Sequence, residues 1–395
     1  MKKLSVFSLI VSLLFVFSCE DKDTTPRLTP HELNVLYPIL DGSLIFSDKV
    51  ESVRNFKVLN LKDNSVKDFS LPNNQSFFLD YFNGKILFNS FELDKQVKSL
   101  FTIDTSETNL LKLVNDEHYS QFHQLKGKFS NDGSEVFYIT HQTGEWLQKK
   151  YSYQDLGDDY YRLSKVGTSG SPHQHRVYNG TDTDVFIPTQ GNDIYYQSNQ
   201  YTRPRKNIHR MNNNLTEGHE LVHNHNFSGE VSFIPNSNDQ YIYIGTDTNL
   251  GSDRSVYLSS QLNPIVDESS IEFYHPTVTP KGEYFFVIGK SSGSTSLYLY
   301  SINGQLVKKV IDKEIVHEEE NVLESGSKMK RTFSNIFIFP ENTNFVLFSV
   351  TPDDVSIDSK TLYVYDYSSD KINSFGVSLN LNSKIEYYIP NQVLF

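Results

Sequence analysis

The sequence predicts an all-β chain built as one domain from repeated four-stranded units, and three observations carry that prediction. Aromatic residues make up 13% of the 395 positions, chiefly Phe and Tyr, and runs rich in Val, Ile, Tyr and Phe alternate with Gly, Asn, Asp and Pro, the chemistry of strands and turns. A short apolar run preceded by a turn residue recurs seven times, each time followed by a second such run. Beyond the first 18 residues no segment sustains a 3.6-residue period except the charged stretch Lys313 to Lys330, which reads equally well as a solvated loop.

The first runs are "GSLIFSD" at 42, "GKILFNS" at 84, "GSEVFYIT" at 133, "NDIYYQS" at 192, "DQYIYIG" at 239, "GEYFFVIG" at 282 and "NFVLFSV" at 344. Their partners, in the same order, are "NFKVLNL" at 55, "SLFTIDT" at 99, "YRLSKVG" at 161, "NIHRMNN" at 207, "SVYLSSQ" at 255, "SLYLYSI" at 296 and "TLYVYDY" at 361. A polar turn such as "KDNS" or "NGQ" follows each partner and leads to a third short run such as "VKDFSL" or "LVKKVI". An apolar stretch before each first run, such as "LYPIL", "FFLDYF" or "PTVTP", is expected to be the innermost strand. Four antiparallel strands per unit, recurring every ~40–60 residues, describe a β-propeller blade, a twisted sheet that buries both faces by stacking on its neighbours. Seven blades fit best; six or eight also fit the spacing. The C-terminal "IEYYIPNQVLF" reads as the first two strands of a further unit, implying that the last strands complete a sheet begun near the N-terminus. A β-sandwich with coincidental spacing is the plainer alternative.

The chain divides into residues 1–18, a signal peptide; 19–30, a lipidated Cys and tether; and 31–395, the propeller domain. Lys2 and Lys3 precede 14 mostly apolar residues, Leu4 to Phe17, too short a run to span a bilayer comfortably. "VFSC" then resembles a bacterial lipobox, although Phe17 stands where a smaller residue is usual. The resemblance implies that Cys19, the only cysteine, becomes the acylated first residue and leaves none for a disulfide. Several acyl chains anchor where a single one does not. "EDKD" after Cys19 resembles the export signal of Bacteroidota surface lipoproteins, so the expected location is the outer membrane, exposed on the surface or on the periplasmic face. "KFSNDGSEVFY" and "TVTPKGEYFFV" resemble the TolB-type (WD40-like) propeller repeat, which implies architecture and is silent on activity.

A formal charge of −12 with dispersed Lys and Arg leaves no electrostatic footprint for nucleic acid and no basic patch for anionic lipid, so membrane contact is expected through the anchor alone. Propeller ligands usually meet the end where second strands connect to third strands. There the third unit carries "HQTGEWLQKKYSYQDLGDDYY", with Trp146, Tyr151, Tyr153 and Asp155, and the fourth carries "NQYTRPRK", with Tyr201, Arg203 and Arg205. Aromatic faces beside carboxylates and guanidinium groups suit a sugar ring, and equally suit loop packing. His123, His225 and His275 fall in segments leading to inner strands and are candidate ligands of a divalent metal. No cofactor is otherwise implied. The lyase precedent, oligogalacturonate lyase, is a propeller with a His and Gln metal site, but no spacing here reproduces its motif. His209 aligns with Tyr257, Tyr298 and Tyr363 and reads as a packed blade residue. Gly289 to Gly293 satisfies G-x-S-x-G, but a second strand rather than a helix follows, so no nucleophile elbow forms.

The expected function is a lipid-anchored, non-catalytic binding module that captures glycans. A protein-interaction scaffold of an envelope complex is the alternative, and a metal-dependent polysaccharide lyase using Arg203 or Arg205 stands behind both.

Overall fold

The computed structural model describes residues 42–390, apart from 51–52, 64, 70, 72–75, 93–96, 107, 115–125, 144–158, 170–173, 180–184, 187–192, 200–205, 216–219, 222–225, 238, 247–253, 292–293, 312–330, 339–343, 353–358 and 381–382. The described residues form strands and turns. Every predicted pair of runs is a pair of adjacent antiparallel strands, because each run alternates side chains toward two apolar neighbours and ends in turn residues.

Strands β1 (Gly42–Val50), β2 (Val53–Asn60) and β3 (Val66–Phe69) open the chain; β4 (Ser76–Phe82), β5 (Lys85–Glu92), β6 (Val97–Asp104) and β7 (Leu111–Val114) make the second sheet. The third holds β8 (Lys126–Phe129), β9 (Glu135–Thr143), β10 (Asp159–Gly167) and β11 (Gln174–Asn179), and the fourth β12 (Val185–Phe186), β13 (Asp193–Asn199), β14 (Lys206–Asn212) and β15 (Glu220–Leu221). In the fifth lie β16 (Asn226–Phe233), β17 (Tyr241–Thr246), β18 (Arg254–Leu258) and β19 (Pro264–Val266). The sixth has β20 (Glu272–Val278), β21 (Tyr284–Ser291), β22 (Ser294–Ser301) and β23 (Leu306–Ile311), and the seventh β24 (Arg331–Ile338), β25 (Phe345–Pro352), β26 (Ser359–Asp366) and β27 (Lys371–Asn380). The last strand, β28 (Lys384–Pro390), returns to pair with β1, giving the order β28-β1-β2-β3.

This corrects one sequence expectation. The innermost strand of the first sheet is not "LYPIL", which lies outside the described residues, but β28 from the other end of the chain. A ring needs its first and last sheets joined, and pairing Gly42 with Pro390 and Ser47 with Lys384 joins them through backbone hydrogen bonds. This is the closure expected of the C-terminal run: β28 is its first strand, and the rest of the run, residues 391–395, lies outside the described residues.

Packing makes the ring explicit. Leu44 and Phe46 of β1 face Leu347, Leu362 and Val364 of the seventh sheet, whereas Ile45 between them faces Ile86, Phe88 and Phe101 of the second. Apolar clusters likewise join the second sheet to the third, the third to the fourth, the fourth to the fifth, the fifth to the sixth and the sixth to the seventh. Each sheet is thus apolar on both faces, which is why the runs read as near-continuous hydrophobic segments.

Aromatic pairs recur across the second and third strands of the sheets: Phe88 with Phe101, Tyr196 with His209, Tyr243 with Tyr257 and Phe348 with Tyr363, with centroids 5.1–5.7 Å apart and rings close to parallel. His209 is buried in this ladder, as its alignment with the tyrosines predicts. In the sixth sheet Val287 is the strand partner of Tyr298, and Gly289, two residues on, leaves room for that ring: a Cβ there would stand 2.6 Å from it. Ser291 lies opposite Ser294 in a hairpin, so the G-x-S-x-G stretch is indeed a strand-to-strand connection.

Candidate functional site

The two ends of the ring differ in chemistry. At one end, first strands meet second strands and third meet fourth through tight turns. Asp132 shows how these close: its carboxylate accepts hydrogen bonds from the Ser130 and Ser134 hydroxyls and the Ser134 amide, which hold its pKa down at about 2. Thr279 plays the part of Ser130 in the other TolB-like unit, exchanging hydrogen bonds with the backbone of Tyr284. Gly133 and Gly282 have φ of +69° and +72°, the left-handed region that favours glycine. They also press on the preceding sheet, at Phe82 and at Ile234 with Pro235. The repeat motif is therefore a stacking device.

The opposite end carries the connections between sheets and between second and third strands. A cluster of charged and aromatic side chains stands there, where the fifth sheet meets the sixth. Both inner strands are bulged at this point, β16 between Phe227 and Val231 and β20 between Tyr274 and Thr277, and a bulge re-aims the side chains it carries. Glu230 lies in the first bulge and His275 in the second.

Arg254, at the start of β18, donates from Nη2 to Glu230 Oε1 at 3.0 Å and from Nε to the Phe273 carbonyl at 3.1 Å, and its guanidinium carbon lies 3.9 Å from the centroid of the Tyr274 ring. The Tyr274 hydroxyl donates to Glu272. Burial, reinforced by that hydrogen bond, raises the Tyr274 pKa against the pull of Arg254, so the phenol stays protonated. The second Glu230 oxygen accepts the His275 amide, and the imidazole Nδ1 stands 3.9 Å from Glu230 Oε1.

Among the described non-glycine residues with positive φ, His275 (φ 52°) alone lies inside a strand and not in a turn. A residue held in that region costs about 1–3 kcal/mol and persists where its surroundings impose it. Here the contact that holds it is the Glu230 carboxylate, which accepts the His275 amide. The result is a solvent-facing imidazole beside a guanidinium stacked on a phenol, with carboxylates on either side, able to donate to and accept from a polar ligand.

Of the residues singled out in the sequence, His275 belongs to this cluster; it is on the inner strand itself, beside Glu230. Among the described residues no group of three or more His, Cys, Asp and Glu side chains is arranged to hold a metal ion. His123, His225 and Cys19 lie outside the described residues, as do Trp146, Tyr151, Tyr153 and Asp155 between β9 and β10, and Tyr201, Arg203 and Arg205 between β13 and β14. Sequence reasoning missed Glu230, Arg254, Glu272 and Tyr274. The available signal was "SGE" in "NFSGEVSF" and "HP" in "EFYHPTV", each of which interrupts an otherwise regular inner strand.

No family model and no curated protein matches the sequence. Solved structures do. The β-propeller domain of the Trilobed protease from Pyrococcus furiosus superposes with a TM-score of 0.53 at 10% identity, over 84% of this chain and 93% of that one. The chain is a β-propeller. An acylaminoacyl peptidase in complex with Z-Gly-Gly-Phe-chloromethyl ketone gives a TM-score of 0.56 at 12% identity over 84% of this propeller. The chain spans 50% of the length of that peptidase. TolB from Acinetobacter baumannii is similar at a TM-score of 0.47 and 12% identity, over 69% of this chain and 65% of that one.

Proposed function

We propose that this propeller is a lipid-anchored module of the cell envelope that binds a glycan without transforming it. The observation that carries the reading is the Arg254–Tyr274–Glu230–His275 cluster, at the end of the ring where the strand connections are longest. Guanidinium, carboxylate and imidazole groups side by side match the dense alternation of donors and acceptors on a sugar. The connections that hold Trp146 and Tyr201 join second to third strands, as does the connection that ends at Arg254, and they contribute the aromatic faces on which pyranose C–H groups stack. The cluster binds polar groups through side chains already held by one another, so little ordering accompanies capture.

Electrophoresis of the detergent-solubilised full-length protein through gels cast with neutral and acidic polysaccharides tests this. Retardation in at least one gel, without loss of polymer, is expected. Arg254→Ala and Trp146→Ala should each weaken retardation, whereas Leu262→Ser at the opposite end should not. A cleared zone of polymer would replace binding with lyase chemistry. Free migration in every gel would leave the interaction scaffold as the better reading.

A further inference from the structure

The large apolar side chains that the described surface exposes are not scattered. Val66, Leu110, Leu111, Leu262, Leu306 and Val307 are exposed, Leu262 by 84% and Leu306 by 53%, and each stands in the turn before an outermost strand or at its first residues: β3, β7, β19 and β23. Antiparallel alternation puts all four positions at the same end of the ring, the end of the tight turns and away from Arg254. They belong to the first and second sheets on one side and the fifth and sixth on the other, nearly opposite across the seven sheets that the described residues form.

The chain enters the propeller at this end too. Gly42 opens β1 opposite Pro390, and its carbonyl accepts the Leu61 amide at 2.9 Å beside the turn that leads to Val66. Only residues 20–41 separate Cys19 from that point.

We infer that this apolar rim rests on the lipid surface to which Cys19 is anchored, so that the Arg254 end faces away from the membrane. The inference rests on the anchoring proposed above. Two apolar patches on opposite sides of a ring are met together by a flat partner, whereas a peptide or a single helix meets one of them. Charges of both signs stand at the same end, Asp63 and Asp132 in turns with Lys62 and Lys281, and Lys308 is paired with Asp370. No one sign dominates the rim, so the contact is apolar, in keeping with a net charge of −12.

The test uses the full-length chain, whose one native cysteine is consumed by acylation. Leu262→Cys, Leu306→Cys and, at the opposite end, Lys290→Cys each carry an environment-sensitive dye, in vesicles of phosphatidylethanolamine and phosphatidylcholine with or without acyl-chain bromination. Intact mass reports the acylation of Cys19 separately. Dyes at 262 and 306 should be quenched by the brominated lipid several-fold more than the dye at 290. Equal quenching at all three positions in acylated protein overturns the docked orientation and leaves the anchor standing. Shielding of 262 and 306 from aqueous iodide without acyl-chain quenching assigns the rim to a protein or a second copy and also overturns it. A mass without acyl chains removes the anchor and this inference with it.

Discussion

Replacing Asp48 by Ala should loosen the ring at the seam where its two ends meet. Asp48 is 2% exposed and ties three segments together: Lys57 Nζ of β2 lies 3.1 Å away, Asn380 Nδ2 at the end of β27 donates at 2.9 Å and Ser383 Oγ before β28 donates at 3.1 Å. Burial is the largest single influence on its pKa and raises it, yet the hydrogen bonds from Asn380, Lys57 and Ser383 together outweigh burial and hold the carboxyl below its ordinary value of 3.8. Breaking a buried ion pair by removing one partner costs about 3–5 kcal/mol. Lys57 is 27% exposed and regains water on losing its partner, so the lower end, about 3 kcal/mol, applies. With an unfolding entropy of about 2.1 cal/mol/K per residue scaled to this chain, that is a fall in Tm of about 4 °C. Thermal unfolding followed by circular dichroism measures it, and hydrogen exchange of peptides over 384–390 locates it. Because the folded pKa is depressed, the contribution is complete above 3.8 and disappears as pH falls through the folded value, so parent and variant should converge in acid. A Tm within about 1 °C of the parent, or unchanged exchange in β28 against β20, would refute the role of Asp48 as the fastening of the seam.

Three further outcomes are expected. Gly289→Ala would bring a Cβ to 2.6 Å from the Tyr298 ring and 2.7 Å from Ile271 Cγ2; overpacking of this kind costs about 1–3 kcal/mol, read as a lower urea midpoint. Asp80 is half-buried with its carboxylate accepting the Phe129 amide at 2.9 Å, and desolvation raises its pKa against Lys128 and that amide. An acid with a raised folded pKa withdraws stability as pH climbs from 3.8 through the folded value. Asp80→Asn keeps an acceptor for Phe129 and should remove that decline from urea midpoints measured across pH; an unchanged profile would place the decline elsewhere. Burial pushes the Tyr241, Tyr243 and Tyr300 hydroxyls far above 10.0, and Tyr367 up to about 12. Their tyrosinate absorbance should therefore appear together with alkaline unfolding, and a gradual rise preceding unfolding would show that solvent reaches the rings.

Particular elements show what was legible beforehand. The β21–β22 pair could be read from "GEYFFVIG" and "SLYLYSI" because a blade buries both faces, making each strand a long apolar run bounded by turn residues. The same logic predicted the packed position of His209. The candidate site was different: Glu230 and Arg254 are 24 residues apart in sequence and meet Tyr274 from a neighbouring sheet, so no local spacing announces them. The inner-strand bulges that turn Glu230 and His275 toward each other have no periodicity of their own.

By itself the sequence determined the strands, their pairing within a unit and the repetition of that unit, since these depend on side-chain alternation and turn chemistry over a few dozen residues. It also supplied the features at Cys19 from which anchoring is proposed. The sequence pointed to closure by its C-terminal run, but two apolar stretches, β28 and "LYPIL", competed for the inner edge of the first sheet, and the pairing of β28 with β1 is what assigns that place. Tertiary structure alone decided that six exposed apolar residues share one end and that Arg254 stands at the other. Both are consequences of antiparallel alternation carried around seven stacked sheets, a long-range relation that local composition does not encode.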